Sequence, residues 1–207
     1  MDRLRRLLRQ LFAALDRERF PEANDPRDHW QRLAMNEAIA AKISSLGPVE
    51  LTAAEISGNA HRERGWRDYA ELAYPDFDLA APLPEHDTFD VVVCEQVLEH
   101  VADPWLAVAN LRDLTTPGGT VIVSTPFLIR VHELPRYGMR DYWRFTPRGL
   151  RTLLESAGLD VESVDSWGNR DCLRGNLDRW SARRPWHSMR NEPELPLQVW
   201  AFATNPG

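Results

Sequence analysis

The chain has 207 residues, 43% hydrophobic and 27% charged, with a formal net charge of −6. That is enough for one domain with a sizeable core, and the acidic balance excludes general affinity for a nucleic-acid backbone. Cys94 and Cys172 give neither a disulfide framework nor a zinc-type spacing, so no metal is expected; the longest apolar runs fall well short of a membrane span, and the expectation is a cytoplasmic protein.

Met1 to Phe20 reads as a basic amphipathic helix. Leu4, Leu7, Leu8, Leu11, Phe12 and Leu15 fall on one face, and Arg3, Arg5, Arg6 and Arg9 on the others. Its apolar face has several open uses: packing on its own domain, on a second copy as a homodimer or on a partner protein, or lying on a membrane surface. Asp2 and the lack of a small-residue cleavage site argue against a targeting segment. Pro21 to Arg27 is a polar linker. Asp28 to Leu46 predicts a second helix, anchored by Trp30, Leu33, Met35, Ile39 and Ile43 and ended by Gly47-Pro48.

Val49 to Gly58 is read as the first strand with the loop that follows it, and Arg67 to Ala73 and Tyr74 to Leu79 as the second and third strands, the third cut short by Pro75. The passage from Glu55 to Phe89 is short for two full crossovers, so at least one flanking helix is expected to be a turn or a loop. Phe89 to Cys94 is apolar and β-branched with little alternation, the pattern of a strand buried on both faces. Cys94 is a small core residue there. Glu95 and Gln96 follow where that strand runs out. An unpaired carboxylate is costly to bury, so Glu95 is expected to face the crevice at the carboxyl ends of the strands, where open α/β sheets bind ligands. A helical turn through Val97, Leu98 and Val101 leads to Asp103-Pro104-Trp105, a cap and first helical position. Leu106 to Leu114 is helical, Pro117-Gly118-Gly119 a tight turn, and Thr120 to Thr125 a strand.

The ordered segment FDVVVCEQVLEHVADPWLAVANLRDLTTPGGTVIVSTPF closely resembles the central segment of class I S-adenosylmethionine-dependent methyltransferases. There an acidic, apolar strand leads into an LEHV-like helix, and PGG precedes the next strand. The resemblance covers roughly Ala53 to Gly168. It implies a Rossmann-like α/β fold: a mostly parallel twisted sheet with an antiparallel last strand, plus two N-terminal helices. Residues 1–47 would be the N-terminal helices and 48–207 the methyltransferase-like domain. Alternating strand and helix signals support the α/β class independently.

The resemblance further implies S-adenosyl-L-methionine as cofactor and a small-molecule acceptor, a sugar or secondary metabolite, methylated on oxygen or nitrogen. Glu55, Ser57 and Gly58 match the beginning of the glycine-rich cofactor loop and would shape its methionine side; Asn59 and His61 stand where further glycines are expected. Glu71 would take the ribose hydroxyls. Asp78, ahead of Pro82-Leu83-Pro84, would lie beside the adenine, with an exposed loop acid as its other reading. Glu95 would lie near the sulfonium, and His100 would pack near the cofactor. In related enzymes, helices before the first strand often cap the substrate side. The departure at Asn59 and His61 motivates an alternative: a member of this fold that no longer methylates, catalysing another step such as cyclisation, or serving as a non-catalytic partner.

Thr125 to Thr146 runs through Pro126, Pro135 and Gly138 with ionisable and aromatic residues between them, the composition of a substrate wall at the end of a strand. His132 is the candidate base, because its unperturbed pKa lies near neutrality. Asp141 would orient it or pair with Arg144; a structural Asp141–Arg144 ion pair with His132 packed beneath the loop is the other reading. Thr146-Pro147 caps a helix from Arg148 to Ala157, and Leu159 to Ser166 is the next strand. Asp171 to Arg190 is a short helix and a long loop. Leu195 to Thr204 is the last strand, expected at the sheet edge by the resemblance.

Overall fold

The computed structural model describes residues 2–83, 85–133, 135 and 138–207. Met1, at the start of the predicted first helix, and Pro84, which closes the Pro82-Leu83-Pro84 segment, lie outside them. Six strands form one sheet: β1 (Thr52–Ile56), β2 (Asp68–Leu72), β3 (Phe89–Glu95), β4 (Thr115–Pro126), β5 (Asp160–Trp167) and β6 (Gln198–Thr204). Their order is β2-β1-β3-β4-β6-β5. The first four pair in parallel, and β6 runs antiparallel to both of its neighbours. The α-helices are α1 (Asp2–Arg19), α2 (Leu33–Leu46), α3 (Pro104–Asp113), α4 (Pro147–Ser156) and α5 (Arg170–Gly175).

The unbroken apolar run of β3 has a direct cause. Val92 and Cys94 pack with α3 and α4 through Val108, Leu111, Leu150 and Leu154. Val91 and Val93 pack on the opposite face, against Met35, Ile39 and Ile43 of α2. Both faces of the sheet are covered, so successive residues must all be apolar. Each such side chain contributes about 1.5–3 kcal/mol on burial. The second N-terminal helix therefore forms a layer on the sheet, rather than a lid over the substrate side. Gly47 ends it at φ 70°, in the left-handed region.

Three expectations are corrected. Tyr74 to Leu79 is not a strand: the segment makes turns, with Phe77 N–H donating to Ala73 O at 2.9 Å. Pro75 has no N–H for a ladder, and β1 already pairs directly with β3, Ala53 opposite Val91. The short passage is accommodated by a 3-10 turn at Arg62–Arg64 and a loop after β2, with no α-helix among the described residues of either connection. Pro117-Gly118-Gly119 is not a turn ahead of β4 but lies within it, at a shift of register between the Phe89–Thr115 and Val91–Thr120 pairs. Gly118 takes φ 81° there, and a side chain on Gly119 would meet Asp90 O.

The last strand is antiparallel as expected, but it lies between β4 and β5, and β5 forms the edge. The residues explain this. QVWAFAT of β6 is buried on both faces, whereas in DVESVDSW of β5 acidic exposed positions stand between half-buried ones and only Trp167 is buried.

Trp167-Gly168 closes β5 against the segment leading into β6. A Cβ on Gly168 would collide with Leu195 O and Leu197 N, both backbone atoms. Gly168→Ala is expected to cost more than about 2 kcal/mol, because the main chain itself must move. Urea denaturation of the purified variant against wild type reads this directly.

Candidate active site

The carboxyl ends of β1 and β3 open on a cleft of about 390 Å³, lined by Ser57, Asp78, Glu95, Gln96, His100 and Tyr142 among others. This is the size and place expected for a small-molecule site in an open α/β sheet. Ser57 (φ 54°) and Gln96 (φ 57°), the first residues after the two strands, are both held in the left-handed region. That conformation costs about 1 kcal/mol or more for a residue with a Cβ. At Gln96 the surroundings enforce it: its N–H donates to Ser124 O at 2.9 Å, and its side-chain amide donates to Gln198 Oε1 at 2.8 Å. Asp78 is exposed at the cleft wall, its carboxylate accepting from Ala80 N at 2.9 Å.

Glu55 does not line the cleft but builds the loop beside it. The residue is 2% exposed. Its carboxylate accepts from Ala60 N at 2.9 Å, His61 N at 3.0 Å and Tyr69 Oη at 2.6 Å. Burial and this bond to Glu55 push the Tyr69 phenol well above its ordinary pKa, so it acts only as a donor. A Cβ on Gly58 would lie 2.5 Å from Glu55 Oε1, so glycine is required there. His61, at a position where the related pattern has glycine, is buried, and its Nε2 reaches Glu95 Oε1 at 2.7 Å. Glu71 stands apart, ion-paired with Arg62 and not among the cleft-lining residues.

The segment after β4 brings His132 and Asp141 together. Asp141 Oδ2 accepts from His132 N at 2.8 Å, and the carboxylate takes a fork of bonds from Arg144. Burial alone would raise the Asp141 pKa; Arg144 and the His132 amide outweigh it and hold the carboxyl below its ordinary range. His132 Nδ1 lies 3.2 Å from both Arg130 O and Asp141 Oδ2, two acceptors, so Nδ1 carries the proton and Nε2 presents a lone pair. Burial lowers the His132 pKa, keeping the ring neutral at neutral pH. Its ring meets His100 edge-on at a centroid distance of 5.0 Å, and His100 lines the cleft. Asp141 thus both holds His132 and pairs with Arg144. Ser57, Asp78, Glu95 and, through His100, the His132–Asp141 pair are gathered at one rim.

A methyltransferase-domain family matches residues 33–164, more than half of the chain. The chain belongs to this methyltransferase family. A curated relative, the ubiquinone biosynthesis O-methyltransferase of Nitrosospira multiformis, is 40% identical over 100 residues, 42% of this chain and 41% of the relative. The chain thus spans about half the length, or less, of the curated relatives it matches first. Among solved structures, the 1,6-didemethyltoxoflavin-N1-methyltransferase of Burkholderia thailandensis, with 1,6-didemethyltoxoflavin and S-adenosylhomocysteine bound, aligns at a TM-score of 0.53 and 18% identity, covering 98% of this chain and 89% of that one. The [4+2]-cyclase SpnF aligns at 0.51 and 16%, covering 90% and 86%. Both show the fold.

Three residues beside the cleft were not singled out as functional from sequence: Arg32, His61 and Glu99. Glu99 is 0% exposed, and neither carboxylate oxygen has a hydrogen-bond partner. Burial raises its pKa to about 8. Arg32, half-buried nearby, has its own pKa lowered by burial first, with Glu99 opposing that shift. Glu99, His100 and His132 offer ligand atoms within 4.8 Å of one another, a donor set able to hold a divalent cation. His100 Nδ1 donates to Arg140 O at 2.6 Å, which turns its Nε2 away from that carbonyl. Sequence spacing hides this set, because His132 joins it only through the fold.

The raised pKa has a signed consequence. The unfolded carboxyl titrates near its ordinary value of about 4.3, so between there and about 8 the folded chain holds a proton that the unfolded chain has lost. The stability contributed by this group is complete below the lower value and declines as pH rises toward the upper one, by up to about 1.4 kcal/mol per pH unit. In Glu99→Gln that decline should be absent. Urea titrations of both proteins across this range, with chelator present, measure it.

Proposed function

We propose that this chain transfers a methyl group from S-adenosylmethionine to a small-molecule acceptor, with His132 as general base. The observation that carries the reading is the neutral His132 imidazole, its Nδ1–H held by Arg130 O and Asp141, beside the cleft that Ser57, Asp78 and Glu95 line. The residues suit the cofactor. Asp78 offers an exposed carboxylate at the adenosine side. The Ser57-Gly58 backbone, stabilised from behind by Glu55, offers close main-chain approach on the methionine side. Glu95, anchored by His61, would supply a carboxylate near the sulfonium. When bound, the cofactor supplies an electrophilic methyl group. The chain's part is to align the acceptor for in-line attack and to take its proton on His132 Nε2, as the new bond to carbon forms and the carbon–sulfur bond breaks. Oxygen is the acceptor atom favoured here, since the curated relatives are named as O-methyltransferases. A sugar or secondary metabolite bearing a hydroxyl is the acceptor class to try first.

A second reading keeps the fold without methyl transfer, as a cyclase or a non-catalytic partner. It rests on His61 occupying a glycine position of the loop and bonding Glu95. Calorimetric titration with S-adenosylhomocysteine separates the two. Micromolar binding that Asp78→Ala weakens at least about tenfold supports methyl transfer; no binding by folded protein supports the second reading.

With an acceptor in hand, His132→Ala should lower kcat by about 10²-fold or more while the protein stays folded. The His132 pKa lies below 6.5, so kcat/KM should be flat at neutral pH and fall only on acidification below that value, as the base becomes protonated. A profile that instead falls in the alkaline direction through neutrality would assign the proton transfer elsewhere.

A further inference from the structure

Helix α1 is tied to the domain through its last turns, while Arg5, Arg6 and Gln10 are exposed. Asp16 bonds Arg174 of α5 at 2.9 Å, and Arg19 bonds Asp171 at 3.0 Å. Ala13, Asp16 and the buried Phe20 line a groove with Arg174, Gly175 and Leu177. The opposite arc, Leu7, Leu8, Leu11, Phe12 and Leu15, is exposed, with Phe12 at 63%. The apolar stripe therefore does not face its own core, as that of a surface helix ordinarily does. Five large apolar side chains at helical spacing are thereby presented outward.

The charges indicate what covers them. Six arginines against three acids give α1 a net charge of +3, while the whole chain carries −6, leaving −9 on the remainder. Pairing with a second copy would bring together two helices that each carry +3. An anionic surface answers both the leucines and the arginines, since arginine stems lie along apolar matter while their heads reach outward. A second, independent feature lies beside the helix. Trp186 is 68% exposed and follows exposed Arg183 and Arg184. Its neighbour His187 stacks on Phe20 at 5.6 Å and on the buried Trp30 at 4.1 Å. An exposed tryptophan among arginines is the composition of a membrane-interface anchor.

We propose that α1, together with Trp186, docks this protein on an anionic lipid surface. The surface joins the site rim through short contacts: Ala23 N donates to Trp180 O at 2.7 Å, and the Trp180 ring meets His132 edge-on at 5.4 Å. A docked molecule therefore holds the His132 wall close to the lipid. The inference does not depend on methyl transfer.

The test is flotation of the full chain with vesicles of equal parts phosphatidylcholine and phosphatidylglycerol, and with phosphatidylcholine alone. Wild type should float with the anionic vesicles and lose binding as salt is raised. A Leu8→Ser, Leu11→Ser, Phe12→Ser variant should lose roughly a hundredfold in partitioning. Arg5→Glu with Arg6→Glu should lose roughly tenfold or more. Tryptophan emission should shift to the blue on binding, and less so in Trp186→Phe. The substituted side chains are exposed, and circular dichroism and S-adenosylhomocysteine binding report that the variants remain folded. The proposal is overturned if wild type fails to float at low salt, or if flotation is unchanged by the apolar substitutions. It is equally overturned if light scattering shows a dimer that those substitutions dissolve, which would assign the face to a second copy.

Discussion

Glu55 lies at the carboxyl end of β1, almost without contact with water, and a carboxylate in that position must have donors. It finds them in two consecutive loop amides and the Tyr69 hydroxyl on the neighbouring strand. From this one requirement the rest of the cofactor side follows. The chain after β1 must curl back over the carboxylate, which places Ser57 in the left-handed region and leaves no space for a side chain at residue 58. The amide of His61 is drawn in, and its ring is thereby delivered to Glu95 on β3. The ends of β1, β2 and β3 are tied together by one acid, so the wall of the cleft is set by the same bonds that satisfy a buried charge. At one position usually held by glycine, the His61 side chain makes a bond of its own to Glu95.

Much of this was readable in the residues. The apolar run at Phe89 to Cys94, the Asp103 cap and the Thr146-Pro147 start each rest on local chemistry that tertiary structure had no reason to overrule. Asp103 does accept from Trp105 N and Leu106 N, and Thr146 from Gly149 N. Tyr74 to Leu79 misled because aromatic and apolar residues there suit a strand, while a sheet position is assigned by what the neighbouring strands leave vacant. The interior place of β6 had a signal that went unread: it is the more uniformly apolar of the last two strands. Glu99 and His61 were invisible for a different reason. Their importance comes from burial and from partners tens of residues away, which no local pattern records. The same holds for Arg32, whose guanidinium reaches Gln96 at 3.4 Å from the N-terminal region.

The rim around His132 combines two kinds of restraint. Hydrogen bonds from Arg144 and to Arg130 O fix the backbone of the loop after β4, so the imidazole is presented by a wall that the protein has already ordered. Aromatic rings from separate segments then close on it: Trp180 from the region after α5, and His100 from the turn after β3. Arg130 stacks over the same Trp180 at 4.0 Å. Residues that the helices and strands could not supply are therefore held by stacking, and the order of this rim depends on the N-terminal and C-terminal parts of the chain being packed together. Preorganisation of this sort lowers the entropy lost when an acceptor is positioned.

The place of β6 has a consequence for how the chain reaches this state. No bonds join β4 to β5; every ladder contact of β5 is with β6, across eight residues of strand that precede it by some thirty positions. During synthesis β1 to β4 can assemble as each emerges, whereas β5 and the α4 helix packed on it have no sheet edge to join until residues 198–204 arrive. The edge of β4 meanwhile stands open, and an open edge is a template for pairing with other chains. Late insertion of one antiparallel strand thus moves the sheet's edge from the apolar β4 to the acidic β5, a poorer template for mispairing.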